Sequence, residues 1–155
     1  MEPSFERLLV LLADAGVRFV VVGGVAVTLN GYVRLTEDVD VIVESSDVNI
    51  LRLIAALSGW GEGYAAELSL ADFPDEEGAV RVVEETESCQ IDIFTVMSGF
   101  HYVDLVADAG TFTLRDHPIR FASKQALLRL KSNSVREKDR IDALALRQLL
   151  DRERK

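Results

Sequence analysis

Val20-Val21-Val22-Gly23-Gly24 and, separated from it by thirteen residues, Asp38-Val39-Asp40-Val41-Ile42-Val43 are the two stretches from which the rest of the chain can be read. Residues 17–22 form a β-branched run suited to a buried strand. The glycine pair lets the backbone turn sharply and brings bare N–H groups close to a ligand. Residues 25–30 read as a short helix closed by Gly31, whose N-terminus would favour an anion at the same place. On the following strand alternate side chains share a face, so Asp38 and Asp40 project together, away from Val39 and Val41. Two neighbouring carboxylates repel unless a cation joins them, and Mg²⁺ takes hard oxygen ligands of this kind together with substrate phosphates.

A third acid comes from Cys89-Gln90-Ile91-Asp92-Ile93-Phe94-Thr95-Val96, where a single aspartate lies between two isoleucines in a strand-like run. A carboxylate there is costly without a partner. If its strand lies beside the strand of Asp38 and Asp40, three carboxylates meet at one point. Divalent ions held by them would activate a hydroxyl and stabilise a leaving pyrophosphate. The alternative keeps Asp38 and Asp40 as acids making local hydrogen bonds and Asp92 as an edge-strand acid facing water.

A glycine pair, then D-x-D, then a lone aspartate among apolar residues resembles the nucleotidyltransferase fold of the DNA polymerase β superfamily. The stretch Gly31-Tyr32-Val33-Arg34-Leu35-Thr36-Glu37-Asp38-Val39-Asp40 is similar to the G-x-x-R-x-T-x-D-x-D form of small bacterial members. Lys131-Ser132-Asn133-Ser134-Val135-Arg136-Glu137-Lys138-Asp139-Arg140-Ile141-Asp142 resembles the K…R-x-K-D-x-x-D segment of nucleotidyltransferase toxins from abortive-infection systems. Together these span about residues 17–150. The resemblance implies an α/β (α+β) fold, a mixed β-sheet flanked by helices with C-terminal helices packed on it. It also implies transfer of a nucleoside monophosphate from an NTP to a hydroxyl of a protein, an RNA or a small molecule, with Mg²⁺ or Mn²⁺ as cofactor. Asp38, Asp40 and Asp92 are then the metal-binding and catalytic acids. Gly23, Gly24, Arg34, Thr36, Lys131, Arg136 and Lys138 become the candidate nucleotide contacts. A nucleotide-binding but non-catalytic regulatory or antitoxin-like protein is the alternative, and a toxin–antitoxin partner belongs with either.

Several of these residues have simpler readings. Thr36 could merely form the turn before the strand. Lys138 and Asp142 are four apart and could form a helix-surface ion pair worth only about 0.3–0.5 kcal/mol. The two histidines and single cysteine form no zinc-ligand spacing. His101 and His117 read as surface or capping residues and Cys89 as a small core residue.

With 155 residues, 48% of them apolar and 28% charged, the chain suits one soluble domain, its core at about residues 17–96 and a helical C-terminal part at about 123–155. The start of the chain is acidic rather than basic, and its apolar runs fall short of the ~20 residues that cross a bilayer, so a cytoplasmic protein without membrane contact is expected. The net charge of −9 is unevenly spread. Residues 1–114 carry 5 basic and 20 acidic side chains, whereas residues 115–155 carry 12 and 6. The acidic body argues against broad nucleic-acid affinity, and the basic quarter could close over a triphosphate.

Periodicity predicts helices over residues 3–15, 48–57, 100–109, 124–131 and 136–152. Ser45-Ser46-Asp47 and Ser123 are candidate caps. Residues 79–84 and 88–96 read as a hairpin around Glu85-Thr86-Glu87. Residues 111–114 and 119–121 read as short edge strands about Asp116-His117-Pro118. The acidic residues 62–78 read as a solvated loop or a lid, with a weak helix over residues 65–70. The exposed face of the first helix leaves a homodimer open.

Overall fold

A computed structural model of the protein describes residues 3–23, 39–61, 63–84, 89–132 and 150. Among these, α1 (Pro3–Asp14) precedes strands β1 (Phe19–Val22) and β2 (Val39–Val43), and α2 (Asp47–Ser58) follows. Two 3₁₀ turns (Tyr64–Glu67 and Leu70–Asp72) lead into the hairpin of β3 (Ala79–Glu84) and β4 (Cys89–Phe94). Then come β5 (Val96–Met97), β6 (Phe100–His101), α3 (Tyr102–Val106), β7 (Gly110–Leu114), β8 (His117–Phe121) and α4 (Lys124–Ser132). The helices expected over residues 25–30 and 136–152 fall outside the described residues, apart from Leu150, which is helical and buried.

Six strands form one mixed sheet in the order β3-β4-β2-β1-β8-β7. β2 is central: it runs antiparallel to β1 on one side and parallel to β4 on the other. This is the α/β layered arrangement the sequence implied. Val39, Val41 and Val43 of β2 stand on one face with Ile91 and Ile93 of β4, all buried. α1 buries Leu8, Leu9 and Leu12 and lies against β8 and α2. α2 turns Ile50, Leu53 and Leu57 inward at helical spacing. Ser46 caps α2, its side chain accepting from Asn49 N at 3.3 Å. Ser123 accepts from Ala126 N at 3.1 Å in the first turn of α4.

Three expectations change. Residues 100–109 are not one helix, because Ser98 and Gly99 both take positive φ (51° and 81°) and close a two-residue turn between β5 and β6. Such turns match the twist of a hairpin, so the helix begins only at Tyr102, with Asp104 accepting from His101 N at 2.9 Å. The turn between β7 and β8 is Arg115-Asp116 (φ 46° and 68°), so His117 and Pro118 belong to the strand. β8 is no edge strand: it lies between β7 and β1, and Pro118 is tolerated because β8 meets β1 only at Phe121. In place of the weak helix over residues 65–70 stand two 3₁₀ turns, Tyr64–Glu67 and Leu70–Asp72, within a connection that is tied down at its end. Thr95 Oγ1 donates to the Pro74 carbonyl at 2.7 Å, and the Glu77 carboxylate accepts from Ser98 N and Gly99 N at 3.1 and 2.7 Å.

Candidate active site

The register of three strand pairs builds the site. Val22 of β1 lies opposite Asp40 of β2, Asp40 lies opposite Asp92 of β4, and Asp92 lies opposite Arg81 of β3. Residues abreast in a ladder share a face, so one line across the sheet carries valine, aspartate, aspartate and arginine. Asp40 is half-buried and Asp92 is buried. Carboxylates on neighbouring strands some ~5 Å apart repel by about 3 kcal/mol at an effective dielectric near 20. Arg81 offsets that repulsion. Its Nε donates to Asp92 Oδ1 at 2.8 Å and its Nη2 to Oδ2 at 3.3 Å, a two-pronged grip of the kind a guanidinium makes best.

Gly23 closes the other side. Its φ is +68°, and a Cβ there would collide with the Asp40 carboxylate, lying 2.8 Å from Asp40 Cγ. The glycine is therefore required twice, by its backbone angle and by the acid packed against it. The chain turns out of β1 at the point where Asp40 leaves no room for a side chain, which is how a strand–glycine turn and a D-x-D strand become one site.

The structure thus brings together Gly23, Asp40 and Asp92 of the candidate residues in the sequence. Asp38, Gly24, Arg34, Thr36, Arg136 and Lys138 lie outside the described residues. Lys131 stands in the last turn of α4; it follows Leu130, whose carbonyl accepts from Ser98 Oγ at 3.2 Å, so its backbone lies near the β5–β6 turn. Asp92 is not an edge-strand acid facing water: β4 is an interior strand. Arg81 did not stand out in the sequence. Counting back from the hairpin turn would have placed it within a residue of Asp92, but the periodicity of β3 alone gave no reason to choose it.

The donors fit a hard cation. Two carboxylates stand abreast, a glycine leaves one of them its space, and a guanidinium shows that the other already accepts positive charge. Among the described residues no set of three His, Cys, Asp or Glu side chains converges, so Asp38 would be needed for a third ligand. A cavity of about 150 Å³ elsewhere, lined by Phe73, Pro74, Glu77, Gly78, Ile93 and Thr95, does not include this line. Asp72 and Glu76 also line it and disfavour a triphosphate. The histidines are surface residues, His101 at 3.1 Å from Asp75 and His117 at 3.7 Å from Asp14.

A mixed sheet flanked by helices, with a glycine turn set against one strand aspartate and a second aspartate abreast of it, is the arrangement of a nucleotidyltransferase-like α/β protein. The chain belongs to the family described as nucleotidyl transferase of unknown function (DUF2204), which it matches over residues 3–154. No curated protein matches it. Among the described residues no helix is long and apolar enough to cross a membrane.

Proposed function

We propose that the protein is a divalent-metal-dependent nucleotidyltransferase that moves a nucleoside monophosphate from an NTP to a hydroxyl and releases pyrophosphate. The observation that carries this reading is the alignment of Asp40 with Asp92, with Gly23 packed against Asp40. Asp38, Asp40 and Asp92 would hold Mg²⁺ or Mn²⁺, which when bound neutralises phosphate charge and makes a hydroxyl more acidic. The backbone at Gly23 and Gly24 would cradle the phosphates, with Arg34, Thr36, Lys131, Arg136 and Lys138 as further nucleotide contacts. Asp92 would orient the acceptor, whose oxygen forms a bond to the α-phosphorus as the bond to the bridging oxygen of pyrophosphate breaks. The acceptor's proton would pass to the Asp92 carboxylate as that bond forms. Resemblance of residues 131–142 to toxin sequences supports a toxin–antitoxin setting, with the acceptor a protein, an RNA or a small molecule.

Arg81 on Asp92 favours a second reading, a protein that binds nucleotide without transferring it, because both oxygens of one proposed metal ligand are engaged. Label transfer from the four α-phosphate-labelled NTPs into lysate protein and total RNA, with Mg²⁺ or Mn²⁺, separates the two. Transfer that falls by at least about a hundredfold in Asp40→Asn while melting stays cooperative is the expected result. Nucleotide binding with no label in any fraction would replace the enzyme reading with the binding one.

A further inference from the structure

We propose that Arg81 is the resident counter-cation of this site: its guanidinium neutralises Asp92 until a divalent ion takes that carboxylate, and then serves the phosphates of the nucleotide. The role presupposes the metal-dependent reading above and adds a residue to it. The grip is two-pronged, so an ion that coordinates Asp92 must compete with the guanidinium for the same two oxygens. The partners are also unequal: the Asp92 side chain is 6% exposed and that of Arg81 61%. A buried acid is thus fixed in place while its cation reaches in from the surface. β3 is the outermost strand of the sheet, so the arginine can leave the acid by rotating its side chain, without breaking a ladder. Once displaced it remains tethered one strand away from Asp92 and two from Asp40, in a body that has 5 basic side chains among its first 114 residues. A guanidinium suits phosphate as well as carboxylate, since both offer paired oxygens to its fork.

A purely structural ion pair would behave differently, because its loss would weaken every ligand together. Here removal of Arg81 acts with opposite signs on two ligands. The first measurement is Mn²⁺ affinity of the full chain without nucleotide, followed by electron paramagnetic resonance. The second is the affinity for inorganic tripolyphosphate in saturating Mg²⁺, by calorimetry. Arg81→Gln is expected to bind Mn²⁺ about tenfold more tightly and tripolyphosphate about tenfold more weakly, the scale of one charge-assisted hydrogen bond. Arg81→Lys keeps the charge without the fork, so it should bind Mn²⁺ more tightly than wild type and retain most of the tripolyphosphate affinity. It also carries the test if the glutamine variant does not fold. Unchanged or weaker Mn²⁺ binding in the folded variants overturns the proposal, as does unchanged tripolyphosphate affinity in Arg81→Gln. Asp40→Asn serves as the control for the underlying reading. If it binds Mn²⁺ as well as wild type does, or if no folded form binds Mn²⁺, the metal site itself fails and Arg81 with it.

Discussion

Gly23 shows how much one residue can decide. A residue with a Cβ pays about 1–2 kcal/mol for the left-handed backbone, and here it would also meet the Asp40 carboxylate. Gly99 separates these two costs, since its φ is +81° but a Cβ added there would meet nothing within 4 Å. Gly99→Ala should therefore lower stability by about 1–2 kcal/mol in denaturant melts and leave label transfer intact. Gly23→Ala should be destabilised by more and lose transfer, because Asp40 must move. Equal transfer by the two variants would show that the packing of Gly23 on Asp40 has no bearing on the chemistry. Gly23, Asp40 and Asp92 were legible in the sequence because a β-branched run before a glycine and acids in apolar strands are locally improbable patterns. Arg81 was not, because an arginine in an edge strand is ordinary until the register shows what it faces.

At the scale of elements, the join between α2 and the β1–β2 pair rests on Asn49. This buried side chain accepts from Arg18 N at 2.7 Å and donates to the carbonyls of Arg18 and Glu44 at 3.0 and 2.8 Å. Asn49→Ala removes the partner of the Arg18 N–H and of the Glu44 carbonyl at this join, while the Arg18 carbonyl keeps the Glu44 N–H at 3.2 Å, and should cost about 2 kcal/mol or more, read as a shift in denaturant midpoint without loss of the fold. Replacement of the cap in Ser46→Ala should cost only about 1 kcal/mol. The helix was readable from Ile50, Leu53 and Leu57, and the cap from the serines that precede it. The clip was not, since it joins Arg18, thirty-one residues away, to the backbone of Glu44, five residues away, and no local pattern links the two. The Ser98-Gly99 turn was hidden for a different reason: the apolar residues after it satisfy a helical period as well as a short hairpin followed by a helix.

The same pair of strands carries a pH signature. Arg18 donates to Glu44 at 2.8 Å, and this bond, with a second from Ser46, holds the Glu44 carboxyl below its ordinary value of 4.5. The folded-state value is depressed, so the contribution is present above the unfolded value and is lost as pH falls through the folded one. The pair is solvent-exposed, which keeps its contribution small. The difference in melting temperature between wild type and Glu44→Gln should accordingly be largest near about pH 7 and shrink in acid below about pH 4. A difference that does not change with pH would remove the Arg18–Glu44 pair as its origin.

For the whole molecule, charge and topology set the terms. With a net charge of −9, duplex DNA or random-sequence RNA should show no retention in a gel shift at about 0.15 M salt, so an RNA acceptor would have to be recognised by its structure. Tight retention of either would overturn the reading of the acidic body. The α/β layering and the placing of the Asp92 strand beside the D-x-D strand followed from residue patterns, whereas the central position of β2 and the insertion of β8 between β1 and β7 depended on long-range packing that no local pattern encodes. The line Val22, Asp40, Asp92, Arg81 has a further consequence. A slip of β4 by one residue would carry Asp92 to the face of Val39 and Val41, and an unpaired carboxylate buried there costs several kcal/mol. The apolar layer thereby proofreads the polar one: a chain that has mispaired its strands cannot complete its core, so the molecules that survive as folded protein are those whose acids are already aligned.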